Sequence, residues 1–583
     1  MRCRARRLVL ATLVAIAILP IGIASASGGF SFYGSGDGHG LGMSQWGAYG
    51  LAQMGWDHQR ILTHFYQGTA VDTPTGLPRS IRVGLTSGRS IVHLRAQVGP
   101  VRLWLGSAGG ALIGKIPVGD TWSVVAKQHA WAVRTHDGHL VGGHLWGGAA
   151  KNLIATYADT GARVFIPEAD AIWYQGFSYG RGSIEMNLTS CGDGDGCVER
   201  LIARVHFEDY LRGLGEVPAA WPMEAMRAQA VAARTYAAYD MKHYGRRADC
   251  NCDITDGASD QTYIGWNREG GTEGDRWVKA VTSTAGQVVT YRGTLIQAFY
   301  AASDGGHSDS VQDVWHGGDP AYAIPWLTGV CDPGESTGAN PWTDWTKTYA
   351  ADDVTSRLAP YTGSIGKIRR FDAIHRGDGG RIINAVAVGG SGDATVTGSE
   401  MKAALGWYDE RVWINSDRTI RGQIRDTYDR VGCRPGLPTS PQRMVHGGSQ
   451  QFFASGGVYA NRASGFTVWL RGAIDREFRA VDAAAGVLGV PTSAPAALTL
   501  RSSTCRGCKR IMFAGGRIYF SPAAGAHALW GNILAAYLHH GGAGGALGLP
   551  ATRVLTRPAG GVHAGFQHGH IACLGGSCTV SVG

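Results

Sequence analysis

The sequence predicts an α+β protein that ends in small repeated modules, and three stretches predict it. Residues 80–204 alternate apolar and polar side chains in short runs, the period of antiparallel strands with one buried face. Residues 207–245 change to helical spacing and contain one long helix. After residue 435 a short proline-bearing motif recurs at intervals of 53 and 59 residues, the mark of stacked modules.

The chain opens on Arg2, Arg4, Arg6 and Arg7, an apolar run from Leu8 to Ile23, and Ala24-Ser25-Ala26. Together these predict a secretory signal over residues 1–26. Its removal takes four of the nine net positive charges and leaves no segment apolar and long enough to span a bilayer. The mild positive balance that remains suits an anionic wall or membrane surface. No Lys/Arg cluster of the nucleic-acid kind is present, so no nucleic-acid partner is expected. Charged residues at 17% argue against disorder, and the 88 glycines follow no Gly-X-Y period, which excludes collagen. Ten cysteines outlast the signal, an even number that predicts disulfides in an exported chain. Cys191/Cys197, Cys505/Cys508 and Cys573/Cys578 bracket short loops, and Cys250, Cys252, Cys331 and Cys433 are left for two longer bridges.

In order along the chain, residues 27–75 hold a Gly-rich loop, a helix from Ser44 to Met54, and a second helix capped by Asp57 and running through Tyr66. Residues 76–200 are β-rich, with strands such as Ile81–Leu85, Val101–Leu105 and Trp122–Val125 and a turn at Asp137-Gly138. A core unit is expected over 201–430. A strand from Leu201 to His206 feeds a short amphipathic helix, Phe207 to Leu214, which Gly215 ends. Pro218 and Pro222 punctuate a corner, a long helix runs to about Tyr244, and Gly245 caps it. Ala225, Ala228, Ala232 and Ala233 give that helix a thin face against which another backbone fits closely.

Glu216 lies in the corner between the two helices, flanked by Gly215, Val217 and Pro218. A carboxyl group on a stiff turn among apolar neighbours is a candidate general acid. Burial raises its pKa and the nearby helix N-terminus lowers it; the bland alternative is a surface glutamate that complements the helix dipole.

The run Glu216-Val217-Pro218, Trp221-Pro222 and Glu224 through Tyr236 resembles the SpoIID/LytB family motif E-x-P, W-P, E-A-x-[KR]-A-Q-A-V-A-A-R-T-Y. The sporulation members of that family are lytic transglycosylases acting on peptidoglycan glycan strands. The resemblance implies that Glu216 is the catalytic acid, that Arg234 is the functional arginine of A-A-R-T-Y, and that Arg227 stands where many members carry lysine. Residues 38–48 are similar to the family's G-H-G-x-G-M-S-Q-x-G-A signature, which makes His39, Ser44 and Gln45 candidates for contacts to the sugar. In the sporulation members that signature follows the catalytic helix, whereas here it precedes it, which implies a permuted order of motifs. Gln261 through Gly265 and Ala298 through His307 resemble two further family blocks, the second departing at Ala302 and Asp304 from Y-x-S-S-x-G-G-x-T. Tyr300, Ser303 and His307 are the substrate-binding candidates there. Asp304 reads as a second carboxylate or as a turn residue before Gly305-Gly306. The resemblance extends over residues 30–415.

Residues 435–583 resemble LGFP repeats, which implies either docking on the cell envelope or a stacked spacer. Some family members bind zinc through one His and two Cys, and His243, Cys250 and Cys252 approximate that set; export favours disulfides over free thiolates, so no cofactor is expected. The expected protein is therefore secreted to the cell wall, with peptidoglycan glycan strands as substrate. A single convincing carboxylate suits a transglycosylase whose substrate supplies its own nucleophile, whereas hydrolysis calls for a pair. The competing expectation is a non-enzymatic enhancer of a wall amidase, or an envelope-binding structural protein.

Overall fold

The computed structural model describes residues 29–127, 130–147, 152–157, 161–169, 176–191, 197–498, 505–558 and 560–583, without the side chains of 189–191 and 197–199. The expected signal over 1–26 and the side chains of the Cys191/Cys197 pair lie outside the described residues.

Helix and sheet are mixed, as expected, and the β-rich part is two antiparallel sheets. One has six strands, ordered Trp146–Gly147, Ala130–Arg134, Thr121–Lys127, Ile91–Val98, Arg163–Ile166 and Phe177–Tyr179. The other has seven, with Ser80–Arg89, Cys197–His206 and Ser183–Cys191 adjacent near one edge, and Ile254–Thr255 adding the single parallel pair. Burial alternates along Thr121–Lys127 as its sequence demands, with Trp122, Val124 and Ala126 inward.

The strand Cys197–His206 leads directly into a short helix at Phe207, and four helices then matter for the site. They are α1 (Gln45–Gln53), α2 (His58–Phe65), α3 (Phe207–Arg212) and α4 (Met223–His243). Ser44 caps α1 by accepting the Gly47 N–H, and Asp57 caps α2 by accepting the Arg60 N–H. Gly213 ends α3 two residues earlier than Gly215. Past the end of α4, Gly245 takes the left-handed φ of +66° that glycine adopts without a Cβ clash. All four alanines of the thin face are buried. A helix without bulk there can be enclosed on most sides, and α1, α2 and the helix Gly274–Ser283 pack around α4.

The N-terminal strand Gly29–Gly34 does not join the β-rich part. It lies between Trp345–Ala350 and Val412–Ile414, and Phe30 and Phe32 enter a second core with Val354, Leu405 and Trp407. The C-terminal repeats form three four-stranded antiparallel sheets. In each, the motif proline bridges the hairpin phenylalanine: Pro438 to Phe453, Pro491 to Phe513, Pro550 to Phe566.

The disulfides correct one expectation. Cys505–Cys508 and Cys573–Cys578 pair locally, and Cys331–Cys433 closes a long loop, but Cys250 joins Cys252 rather than a distant partner. No helix among the described residues is long and apolar enough to cross a membrane.

Candidate active site

The corner that carries Glu216 is held from two sides. Leu214 bridges Tyr263, the Gly215 N–H donates to the Thr262 carbonyl at 2.9 Å, and the Ile264 N–H donates to the Gly213 carbonyl at 2.9 Å. Beyond the prolines, the Arg276 guanidinium donates to the carbonyls of Ala219 and Trp221 at 2.8 and 2.9 Å. Two short segments without much secondary structure of their own thereby become one rigid turn.

The Glu216 carboxyl is enclosed by protein atoms while the residue keeps a partly exposed edge. Its Oε1 accepts the Thr262 N–H at 2.6 Å, and its Oε2 faces Gln45 Nε2 at 3.5 Å. The Tyr300 side chain is a third hydrogen-bond partner. That hydroxyl accepts from Gln261 Nε2 at 2.8 Å, and Gln261 Oε1 in turn accepts from the Tyr210 hydroxyl at 2.7 Å, so the Tyr300 proton is free for Glu216. Burial is the dominant influence and pushes Glu216 up to about 7, against these three hydrogen bonds, which favour the charged form. A carboxyl poised there holds a proton to give and, once it has given it, can take one back.

His39 meets this network at the Tyr300 backbone, to which its ring is hydrogen-bonded. Its Nδ1 accepts the Leu41 N–H at 3.0 Å, and its ring packs on Phe299 and Trp315 with centroids 6.1 and 5.6 Å apart. Burial, with Lys402 and Arg381 nearby, lowers it to about 4, so it is a neutral imidazole at neutral pH. Trp46 and Tyr49 of α1 meet Trp221 of the corner, centroids 4.7 and 5.1 Å away, and make an aromatic cluster beside Gln45 and Glu216.

Other sequence candidates have different work. Arg234 is fully buried, with Nε and Nη2 on the Glu208 carboxylate at 2.8 Å each and further bonds to the carbonyls of Gln287 and Val281. It pins α4 to α3 and has no surface for a sugar. Arg227 pairs with Glu224 and donates to Ser283 Oγ at 3.0 Å, while Glu224 accepts the His58 N–H, an arrangement that stitches α4 to two neighbouring helices. Ser44 and Ser303 are buried and both donate to Glu335. His307 spends Nδ1–H on the Ser308 carbonyl at 2.6 Å. Asp304 is the turn residue: it is 2% exposed and its Oδ1 accepts the Gly306 N–H at 2.7 Å. The zinc set does not fit the metal either. Cys250 and Cys252 are joined to each other, leaving no thiolate ligand, and the His243 ring stacks on Tyr239.

Of the expected residues, then, the fold gathers Glu216, Gln45, Tyr300 and His39. Thr262, Gln261, Tyr210 and the Trp46/Tyr49/Trp221 cluster were not foreseen. Gln261 and Thr262 carried a signal as members of the block at 261–265, and Trp221 and Trp46 as members of the two motifs, whereas Tyr49 and Tyr210 lie outside every quoted motif.

Comparison with known proteins fits this site. The SpoIID family model, described as stage II sporulation protein, matches residues 198–291, which hold Glu216, Thr262 and α4. The LGFP repeat model matches residues 488–545. The chain carries a SpoIID domain and LGFP repeats. An amidase enhancer of Bacillus subtilis is 32% identical over 147 residues, 25% of this chain and 17% of that protein. Stage II sporulation protein D of the same organism is 27% identical over 180 residues, 29% of this chain and 50% of that protein. An uncharacterized protein of Brachyspira hyodysenteriae is 32% identical over 169 residues, 28% of this chain and 41% of its own length. The chain therefore spans half or less of each of these relatives. Gln45 and the rest of α1 lie outside the family-matched residues, yet they pack on them.

Proposed function

We propose that this SpoIID protein is a lytic transglycosylase of peptidoglycan glycan strands, working outside the cell and held at the envelope by its LGFP repeats. The observation that carries the reading is Glu216: one carboxyl, tuned to about 7, on a turn fixed from both sides. The proton of Glu216 goes to the glycosidic oxygen as the bond to the anomeric carbon of N-acetylmuramic acid breaks. The C6 hydroxyl of that sugar forms the new bond to the same carbon, and its proton returns to the Glu216 carboxylate. The product is a 1,6-anhydromuramyl end, and no water or second carboxylate is consumed. The Gln45 amide orients the sugar, and the Trp46/Tyr49/Trp221 cluster offers apolar faces for its rings.

A second reading is favoured by one finding, the relative named amidase enhancer. In that reading the chain stimulates a wall amidase without cutting glycan. One experiment separates the two. The mature protein is incubated with purified glycan strands, alone and with a wall amidase, and both glycan length and amidase rate are followed. Glycan shortening by the protein alone supports the transglycosylase; amidase stimulation with intact glycan replaces it by the enhancer.

A further inference from the structure

Three carboxylates meet inside the protein at the start of α1. Asp304, Asp332 and Glu335 are 2%, 0% and 0% exposed, and each presents an oxygen within 4.8 Å of the other two. Their surroundings treat them unequally. Glu335 is saturated: Oε1 accepts from Ser44 Oγ and from the Asp304 N–H at 3.0 Å, and Oε2 accepts from Ser303 Oγ at 2.7 Å and from Asn340 Nδ2. Asp304 and Asp332 each hold Oδ1 on a backbone N–H of their own turn, Gly306 at 2.7 Å and Gly334 at 2.8 Å. The Oδ2 atom of each has no hydrogen-bond partner. Gly47 of α1 is what lets Asp332 in, since a Cβ there would stand 1.8 Å from its Oδ2.

No basic side chain pairs directly with the group. Among the described residues no Lys, Arg or His makes an ion pair with any of the three. Arg381 serves Asp309 and Asp409 and donates to the Asp304 carbonyl at 3.0 Å, Arg425 serves Asp429 and donates to the Asp332 carbonyl at 3.2 Å, and Arg411 donates to Ser35 Oγ and to the carbonyls of Gly379 and Gly305, so all three favour the charged acids only from beyond ion-pair distance. A bare carboxylate oxygen in a protein interior is expensive, and three acids in contact make it more so. Protons on the aspartates would need acceptors, but both oxygens of Glu335 already take two donors each.

We propose that Asp304, Asp332 and Glu335 form the binding site of a hard divalent cation of the calcium type, seated on the two bare aspartate oxygens with Glu335 completing the charge. Calcium takes oxygen ligands at roughly 2.3–2.6 Å, so ligand oxygens on one ion stand up to about 5 Å apart, and one oxygen from each of the three carboxylates lies within 4.8 Å of the other two. Carboxylates and hydroxyls without sulfur or imidazole suit calcium rather than zinc. The site is coupled to the candidate active site through one residue step: Ser44, which caps α1 and binds Glu335, precedes Gln45, which reaches Glu216. The cation thereby holds the start of α1 in register with the Glu216 corner. That role rests on the function proposed above; the binding site itself does not, and its test needs no substrate.

The mature chain, purified without chelator, is analysed for metal by mass spectrometry, then stripped with EDTA and melted while calcium or magnesium is restored. The expected results are about one calcium per chain, a melting temperature lowered by EDTA by several degrees, and recovery with calcium that is absent in Asp304→Asn and Asp332→Asn. If those variants fail to fold, the wild-type chelation and recovery arms decide alone. A metal-free wild type whose melting ignores EDTA and calcium would mean the acids share protons instead, and recovery with magnesium alone would contradict the calcium assignment.

Discussion

Gln45 Nε2 stands 3.5 Å from Glu216 Oε2 although 171 residues separate them in the chain. The helix that carries Gln45 and the corner that carries Glu216 meet because α4 offers an alanine face thin enough for α1 to approach. In the proposed chemistry the Gln45 amide stabilises the ionised form of Glu216, so its removal has a definite sign. Gln45→Ala raises the Glu216 pKa further, and the pH at which kcat/KM falls on the alkaline side moves upward. A pH–rate profile measures it, and an unchanged alkaline limb would separate Gln45 from the acid.

Glu216 also leaves a signature in stability. Its folded pKa of about 7 lies above the ordinary value of 4.5, so the folded state binds the proton more tightly than the unfolded chain. The stabilisation from that proton is complete below about 4.5 and is lost as pH rises through 7. Above that, wild type carries a buried charge that Glu216→Gln does not. The variant therefore melts higher than wild type at pH 8, and the difference closes by pH 4.5. Thermal melts at both pH values measure it.

Arg234 tests the correction made to the motif reading. Its guanidinium is buried on Glu208, and removing one partner of such a pair costs about 3–5 kcal/mol. Arg234→Ala is expected to lower stability by that order in urea unfolding, while the KM of whatever remains folded stays near the wild-type value. A raised KM at unchanged stability would restore Arg234 to substrate binding.

The repeats carry a separate expectation. Deleting residues 435–583 is expected to abolish sedimentation with purified envelope while leaving glycan cleavage in solution intact. Sedimentation retained in full would leave the repeats a spacer.

What the sequence made legible was local. Ser44 and Asp57 are caps because a short side-chain oxygen just before a helix can accept a free N–H, and this depends on residues three positions apart. Gly245 follows from an equally short-range rule, since glycine takes the left-handed turn just past a helix end. What stayed hidden depended on partners far away. A motif names Arg234 but not Glu208 opposite it, and Ser44 looks sugar-facing until Glu335 arrives from 291 residues downstream. The same blindness joined Cys250 to a distant cysteine when its partner was Cys252, and could not see that Gly29–Gly34 pairs with Trp345–Ala350.

The central claim is that one carboxyl, Glu216, both gives and recovers the proton while the sugar closes on itself. The most direct measurement is mass spectrometry of the ends produced when the mature protein digests glycan strands. The account predicts new ends in the 1,6-anhydromuramic form, lighter than a hydrolysed end by one water, about 18 Da, and a fall in their rate by a factor on the order of 10² or more in Glu216→Gln. Reducing ends carrying that water would contradict it, because water would then be the nucleophile in place of the C6 hydroxyl.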